Sequence, residues 1–142
     1  DYFLRNRLLA WFSLKIIGIL PLSRKLTVHG PDVFAGASTA LANGEILLLF
    51  PEGSRGEPEQ MGQFKSGVAH LAERHPTVPV VPIFLHGLGK ALPKGEAILV
   101  PFFCDVFIGR TQSWQGERKA FMQQLSTEIN SLAEEGSRSL WD

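Results

Sequence analysis

The chain reads as a single α/β domain with a mostly parallel central sheet flanked by helices, and two patterns point there. The stretch EILLLF, Glu45 to Phe50, is continuously apolar after its first residue, as a strand covered on both faces of a parallel sheet requires. Amphipathic helical spacings stand before and after it, so helix and strand alternate in the manner of a layered architecture. A length of 142 residues, 44% of them hydrophobic, suffices for one core.

Residues 1–20 open with an apolar stretch from Tyr2 to Leu20, interrupted by Arg5, Arg7 and Lys15. A spanning helix needs about 20 mostly apolar residues, so this segment is too short and too charged to span. Cations beside Phe3, Trp11, Phe12 and Ile16 suit a helix lying on a membrane surface; a core helix of a soluble domain fits the same residues. No secretory signal pattern is visible. Asp1 in place of a methionine reads as the start of a fragment.

Residues 21–110 form the expected α/β core. Pro21 ends the first segment, and a loop runs to Gly30-Pro31. A short helix follows, with Asp32 as its cap, Val33, Ala37 and Leu41 inward and Gly44 as its stop. After the strand EILLLF comes a sharp turn, then a helix in which Phe64, Val68, Leu71 and Ala72 recur up to the break at His75-Pro76. VPVVPIFLHG, Val78 to Gly87, reads as a strand that Pro79 and Pro82 make irregular or leave unpaired on one side. AILVPFFCDVFIG, Ala97 to Gly109, holds one or two further strands, with Cys104 a small buried hydrophobe. Residues 111–142 carry an amphipathic helix from about Glu117 to Glu135, its buried stripe Phe121, Leu125, Ile129 and Leu132, and then a tail.

The 14 basic and 14 acidic side chains cancel, so no global field recommends a nucleic acid as partner. A single cysteine forms no internal disulfide, and no Cys/His cluster offers a metal site. Neither a metal nor a bound cofactor is expected.

The chemistry concentrates in FPEGSRG, Phe50 to Gly56, a turn at the C-terminal end of the expected strand, where ligands of open α/β sheets bind. Gly53 and Gly56 permit a tight turn and close approach of a ligand. Arg55 offers a planar fork of donors that suits phosphate, while Glu52 can orient it or accept a hydrogen bond from a substrate hydroxyl. Two common motifs fail here. Phe64 stands where a P-loop needs glycine before Lys65-Ser66, and Glu52 stands where a nucleophile elbow around Ser54 needs one. The residues alone leave two readings open: a cradle for a phosphorylated head, or a connection whose Glu and Arg face water.

With its surroundings, the turn resembles the third conserved block of the glycerolipid acyltransferases, the 1-acylglycerol-3-phosphate (lysophosphatidate) acyltransferases, commonly FPEGTRS; Ser54 and Gly56 are the departures. GILPLSR, ending at Arg24, resembles the second block, and VPVVPIFLHG the fourth; FKSGVAHLA resembles the segment that follows the third. The resemblance runs from the first residues to about Gly87 and implies a fold like that of glycerol-phosphate acyltransferases. It also implies transfer of a fatty acyl group from acyl-CoA or acyl carrier protein, as co-substrate, to a hydroxyl of lysophosphatidate or a related lipid. Carried over residue by residue, it makes Arg24, Glu52, Gly53, Ser54, Arg55 and, more weakly, Lys65 acceptor-binding. Pro79, Val81 and Pro82 fall on the acyl-donor side. The implied location is peripheral, on the cytoplasmic side of a membrane.

One departure bears on catalysis. Members carry a first block, Asn-His-x4-Asp, whose histidine serves as general base and whose aspartate orients it. Five positions after His29, His70, His75 and His86 stand Phe34, His75, Val80 and Ala91, so no catalytic residue is assigned within this chain. In the family that block lies upstream of the second, and only 23 residues precede Arg24. It is expected before Asp1; a pseudoenzyme or non-catalytic lipid- or phosphate-binding module is the alternative.

Overall fold

A computed structural model describes residues 11, 15, 18–20, 32–53, 61–87 and 103–137. Two compact units divide the chain, residues 1–47 and 48–142. In the first, Trp11 and Lys15 have helical backbone and are exposed; the rest of the segment expected over residues 2–20, apart from residues 18–20, lies outside the described residues. Helix α1 covers Ala35–Ala42 and buries Ala37 and Ala40, with Val33 and Leu41 half-buried beside them. Asp32 is not its N-cap: the capping position falls on Phe34, whose N–H donates to Asp32 Oδ1 at 3.0 Å. The carboxylate therefore holds the turn that precedes the helix. At the other end Gly44 has φ +76°, and the N–H groups of Gly44 and Glu45 donate to the carbonyls of Leu41 and Ala40. That pair of bonds is a Schellman motif, which makes Gly44 the expected stop.

The second unit contains helix α2 (Gly67–Arg74), strands β1 (Ile83–His86) and β2 (Asp105–Ile108), and helix α3 (Arg118–Ser137). Helix α3 is its spine. Phe121, Leu125, Ile129 and Leu132 are all buried, as their spacing requires, and Phe121 is only 1% exposed. Phe121 packs with Ala69 and Ala72 of α2, and Val68, Val80, Trp114 and Met122 close around them. The Trp114 ring meets that of Phe121 at a tilted 5.7 Å, a favourable geometry for two quadrupoles. Arg118 and Glu73 join α3 to α2 by a salt bridge on the surface.

Strands β1 and β2 pair antiparallel, Ile83 opposite Ile108 and His86 opposite Asp105. The period of two puts Phe84, His86, Asp105 and Phe107 on one half-buried face, and Phe84, His86 and Phe107 pack around Gly136 of α3. Ile83, Leu85, Val106 and Ile108 share the other face and are exposed. The proline expectation holds. Val80 makes only an isolated bridge to Gln112, Pro82 is buried, and regular pairing starts after Pro82.

Two further expectations need correction, and the fold class is met in its coarser form. The described sheet is two-stranded and antiparallel, so the chain is α/β in content but forms no parallel ladder among the described residues. Residues 45–50 are not a strand there: Ile46, Leu48 and Phe50 are 100%, 71% and 69% exposed, with Leu47 and Leu49 half-buried. An apolar run becomes a strand only when neighbours supply its ladder partners. Cys104 is exposed, not buried, because it precedes β2 beside the equally exposed Phe103. Residues 97–102 and the tail beyond Ser137 lie outside the described residues.

If α3 organises the second unit through Phe121, Phe121→Ala should lower its stability in urea denaturation by about 3–5 kcal/mol. Arg118→Ala, which removes only a solvent-screened ion pair, should lower it by no more than about 1 kcal/mol.

Candidate functional site

The turn after Phe50 is set by backbone chemistry. The Gly53 N–H donates to the Phe50 carbonyl at 3.1 Å, closing a four-residue turn, and Gly53 has φ +70°. That left-handed conformation costs a residue with a Cβ roughly 1 kcal/mol, which explains glycine here. The Lys65 N–H donates to the Pro51 carbonyl at 2.7 Å, so residues 62–65 lie alongside the turn. A Cβ on Gly53 would stand 3.5 Å from Lys65 Cγ, which shows the lysine stem resting against the glycine.

Glu52 completes the arrangement. Its Oε2 accepts the Gly62 N–H at 3.0 Å, a charge-assisted bond stronger than a neutral one. Gly62 is a residue the motif reading missed. The only signal was a glycine in MGQFKSG, a segment that sequence reasoning used to reject a P-loop. Its close fit to Glu52 emerges only in three dimensions.

The structure thus brings Glu52, Gly53 and Lys65 together. Arg24, Ser54 and Arg55 lie outside the described residues. Pro79, Val81 and Pro82 sit on the segment leading into β1; Val81 is exposed and Pro82 buried. Among the histidines, His70 is half-buried in α2, His75 follows that helix and His86 is in β1, while His29 is outside the described residues. His86 faces Asp105 across the ladder, on the face turned toward α3. No group of three or more metal-ligating side chains occurs among the described residues.

What this turn can do chemically is hold a polar group beside a lysine, on a backbone fixed at both shoulders. Comparison with known proteins gives that geometry a context. A family profile described as Acyltransferase matches residues 2–86, which include the turn, Arg24 and the segment entering β1. A chloroplastic 1-acyl-sn-glycerol-3-phosphate acyltransferase of Brassica napus is 35% identical over 89 residues, 62% of this chain and 26% of that protein. Its counterpart in Arabidopsis thaliana is 34% identical over 93 residues, 65% of this chain and 26% of that protein. A 1-acyl-sn-glycerol-3-phosphate acyltransferase of Pseudomonas aeruginosa is 35% identical over 86 residues, 61% of this chain and 33% of that protein. The match thus extends over about a quarter to a third of the length of these curated relatives. No solved structure matches significantly. With the profile covering more than half of its residues, and its motifs in the expected order, the chain belongs to the acyltransferase family, among the glycerolipid acyltransferases.

Proposed function

We propose that this chain forms the acceptor-binding part of an enzyme of phospholipid biosynthesis. That enzyme moves a fatty acyl group from acyl-CoA or acyl carrier protein to a hydroxyl of lysophosphatidate or a related glycerol-phosphate lipid. The observation that carries the proposal is the FPEGSRG turn, held at both shoulders within a family of acyltransferases. Arg24 and Arg55 clamp the acceptor phosphate, Lys65 adds positive charge beside Gly53, and Glu52 with Gly53 shapes the turn. Ser54, which follows Gly53 and precedes Arg55 in sequence, binds the same head. Pro79, Val81 and Pro82 shape the acyl-donor side.

In the reaction the acceptor hydroxyl oxygen attacks the thioester carbonyl carbon. A carbon–oxygen bond forms, the carbon–sulfur bond breaks, and the thiolate leaves to take up the proton that a base has removed from the hydroxyl. None of the four histidines has an aspartate five positions on. The proposal therefore assigns the base to the family's His-x4-Asp block and to no residue of these 142. That same absence favours one second reading, a non-catalytic lipid-binding module; an in-frame His-x4-Asp encoded upstream of Asp1 decides for the enzyme.

In this proposal the domain carries the mostly parallel sheet, and its neighbouring elements cover the apolar surface of Ile46–Phe50. The exposure of Ile46, Leu48 and Phe50 supports this, since such apolar surface is ordinarily covered. The protein works peripherally on the cytoplasmic side of a membrane. Support comes from the exposed Trp11 and Lys15 on helical backbone. No helix among the described residues is long and apolar enough to cross a bilayer. Removing residues 1–20 should abolish co-sedimentation with anionic liposomes; full retention would remove the surface-helix assignment.

In the full-length protein, Arg24→Ala and Arg55→Ala should each raise KM for lysophosphatidate roughly 10- to 100-fold, the range expected for losing a charge-assisted hydrogen bond. Unchanged acceptor kinetics in both variants would remove the phosphate clamp.

A further inference from the structure

We infer that Glu52 is a positioning residue that acts through the backbone of Gly62 and not through contact with the lipid. Its partner carries no side chain. A Cβ at position 62 would lie 2.7 Å from Glu52 Oε2, closer than two such atoms can stand. Glycine there leaves room for the carboxylate to accept the amide at 3.0 Å. The second tie, from the Lys65 amide to the Pro51 carbonyl at 2.7 Å, lies three residues further along one shoulder and one residue back along the other.

The two bonds together close Pro51–Gly53 onto Gly62–Lys65. Rotating one shoulder against the other requires breaking both. Glu52 thereby fixes the path of the chain as far as Gly53. Lys65, its stem against Gly53, is held by the same closure. The inference rests on the acceptor-binding role proposed for this turn, and assigns Glu52 the part of holding Lys65 in place beside it.

The chemistry of the clash supplies a selective test. The atom that an alanine at 62 would strike is the far end of a flexible side chain, so Gly62→Ala expels the carboxylate without removing it or its charge. A Glu52 that acted on substrate through its charge would fail as Glu52→Gln; one that works through the Gly62 amide would not.

In the full-length protein, Glu52→Ala and Gly62→Ala should each raise KM for lysophosphatidate about tenfold with kcat little changed, and the double variant should be no worse than either. Glu52→Gln should recover most of the loss, because its carboxamide oxygen can still accept the amide. Hydrogen exchange measured by mass spectrometry should be faster over residues 61–66 in both single variants and near wild-type in Glu52→Gln. Normal KM and exchange in Gly62→Ala beside an impaired Glu52→Ala would overturn the inference, as would additive effects in the double variant. Should the wild-type protein neither bind nor acylate lysophosphatidate, the functional proposal fails, and the exchange pattern alone still upholds or overturns the tie between Glu52 and Gly62.

Discussion

A backbone that leaves an apolar run must satisfy its polar groups within a few residues, and at Phe50–Gly53 this chain does so by folding against residues 62–65. The Lys65 N–H meets that demand at the Pro51 carbonyl, and beside it the Glu52 carboxylate accepts the Gly62 N–H. The course of the turn as far as Gly53, and the place of Lys65 beside it, follow from these two bonds. A cation presented to a phosphate is useful only if its approach is fixed, because an ordered geometry limits the entropy lost on binding. The same bonds account for the residue types: glycine at 53 for its left-handed φ, glycine at 62 for the space beside a carboxylate, and glutamate at 52 for its reach.

The second shoulder is in turn anchored by the core. Lys65 is followed directly by Ser66 and helix α2, whose Ala69 and Ala72 are buried against Phe121 of α3. Small residues on α2 let the Phe121 ring approach, so the helix position is set by close packing, which resists displacement more than a surface contact would. The Arg118–Glu73 pair lies outside this contact and adds little. Thus a chain of dependence runs from the α3 stripe through α2 to the lysine beside the turn. The strand pair stands on the same helix, around Gly136, and carries Pro82 and Val81 at its entrance.

Much of this was legible in the sequence where local periodicity decides the outcome. The stripe of α3, the part of the α2 stripe from Val68 on, the stop at Gly44 and the disruption around Pro79 and Pro82 all follow from spacing, backbone conformation or a missing donor; Phe64, expected in α2, precedes its start at Gly67. The apolar run Ile46–Phe50 was misread as a formed strand because hydrophobicity records which residues favour burial and says nothing of which neighbours are there to pair. Antiparallel pairing of β1 with β2 was hidden for the same reason: strand direction is a long-range property. Ordered blocks sufficed to place the chain among the glycerolipid acyltransferases, yet the motif left Gly62 unnoticed. Its importance depends on a Cβ distance, and no spacing rule encodes one.

If the FPEGSRG turn serves an anionic lipid head, the protein must discriminate between headgroups. Calorimetric titration of the full-length protein should compare lysophosphatidate with the monoacylglycerol that shares its acyl chain and lacks the phosphate. Removing the phosphate should weaken binding at least about tenfold, the least expected from losing one charge-assisted hydrogen bond. Equal affinity for the two lipids would contradict it.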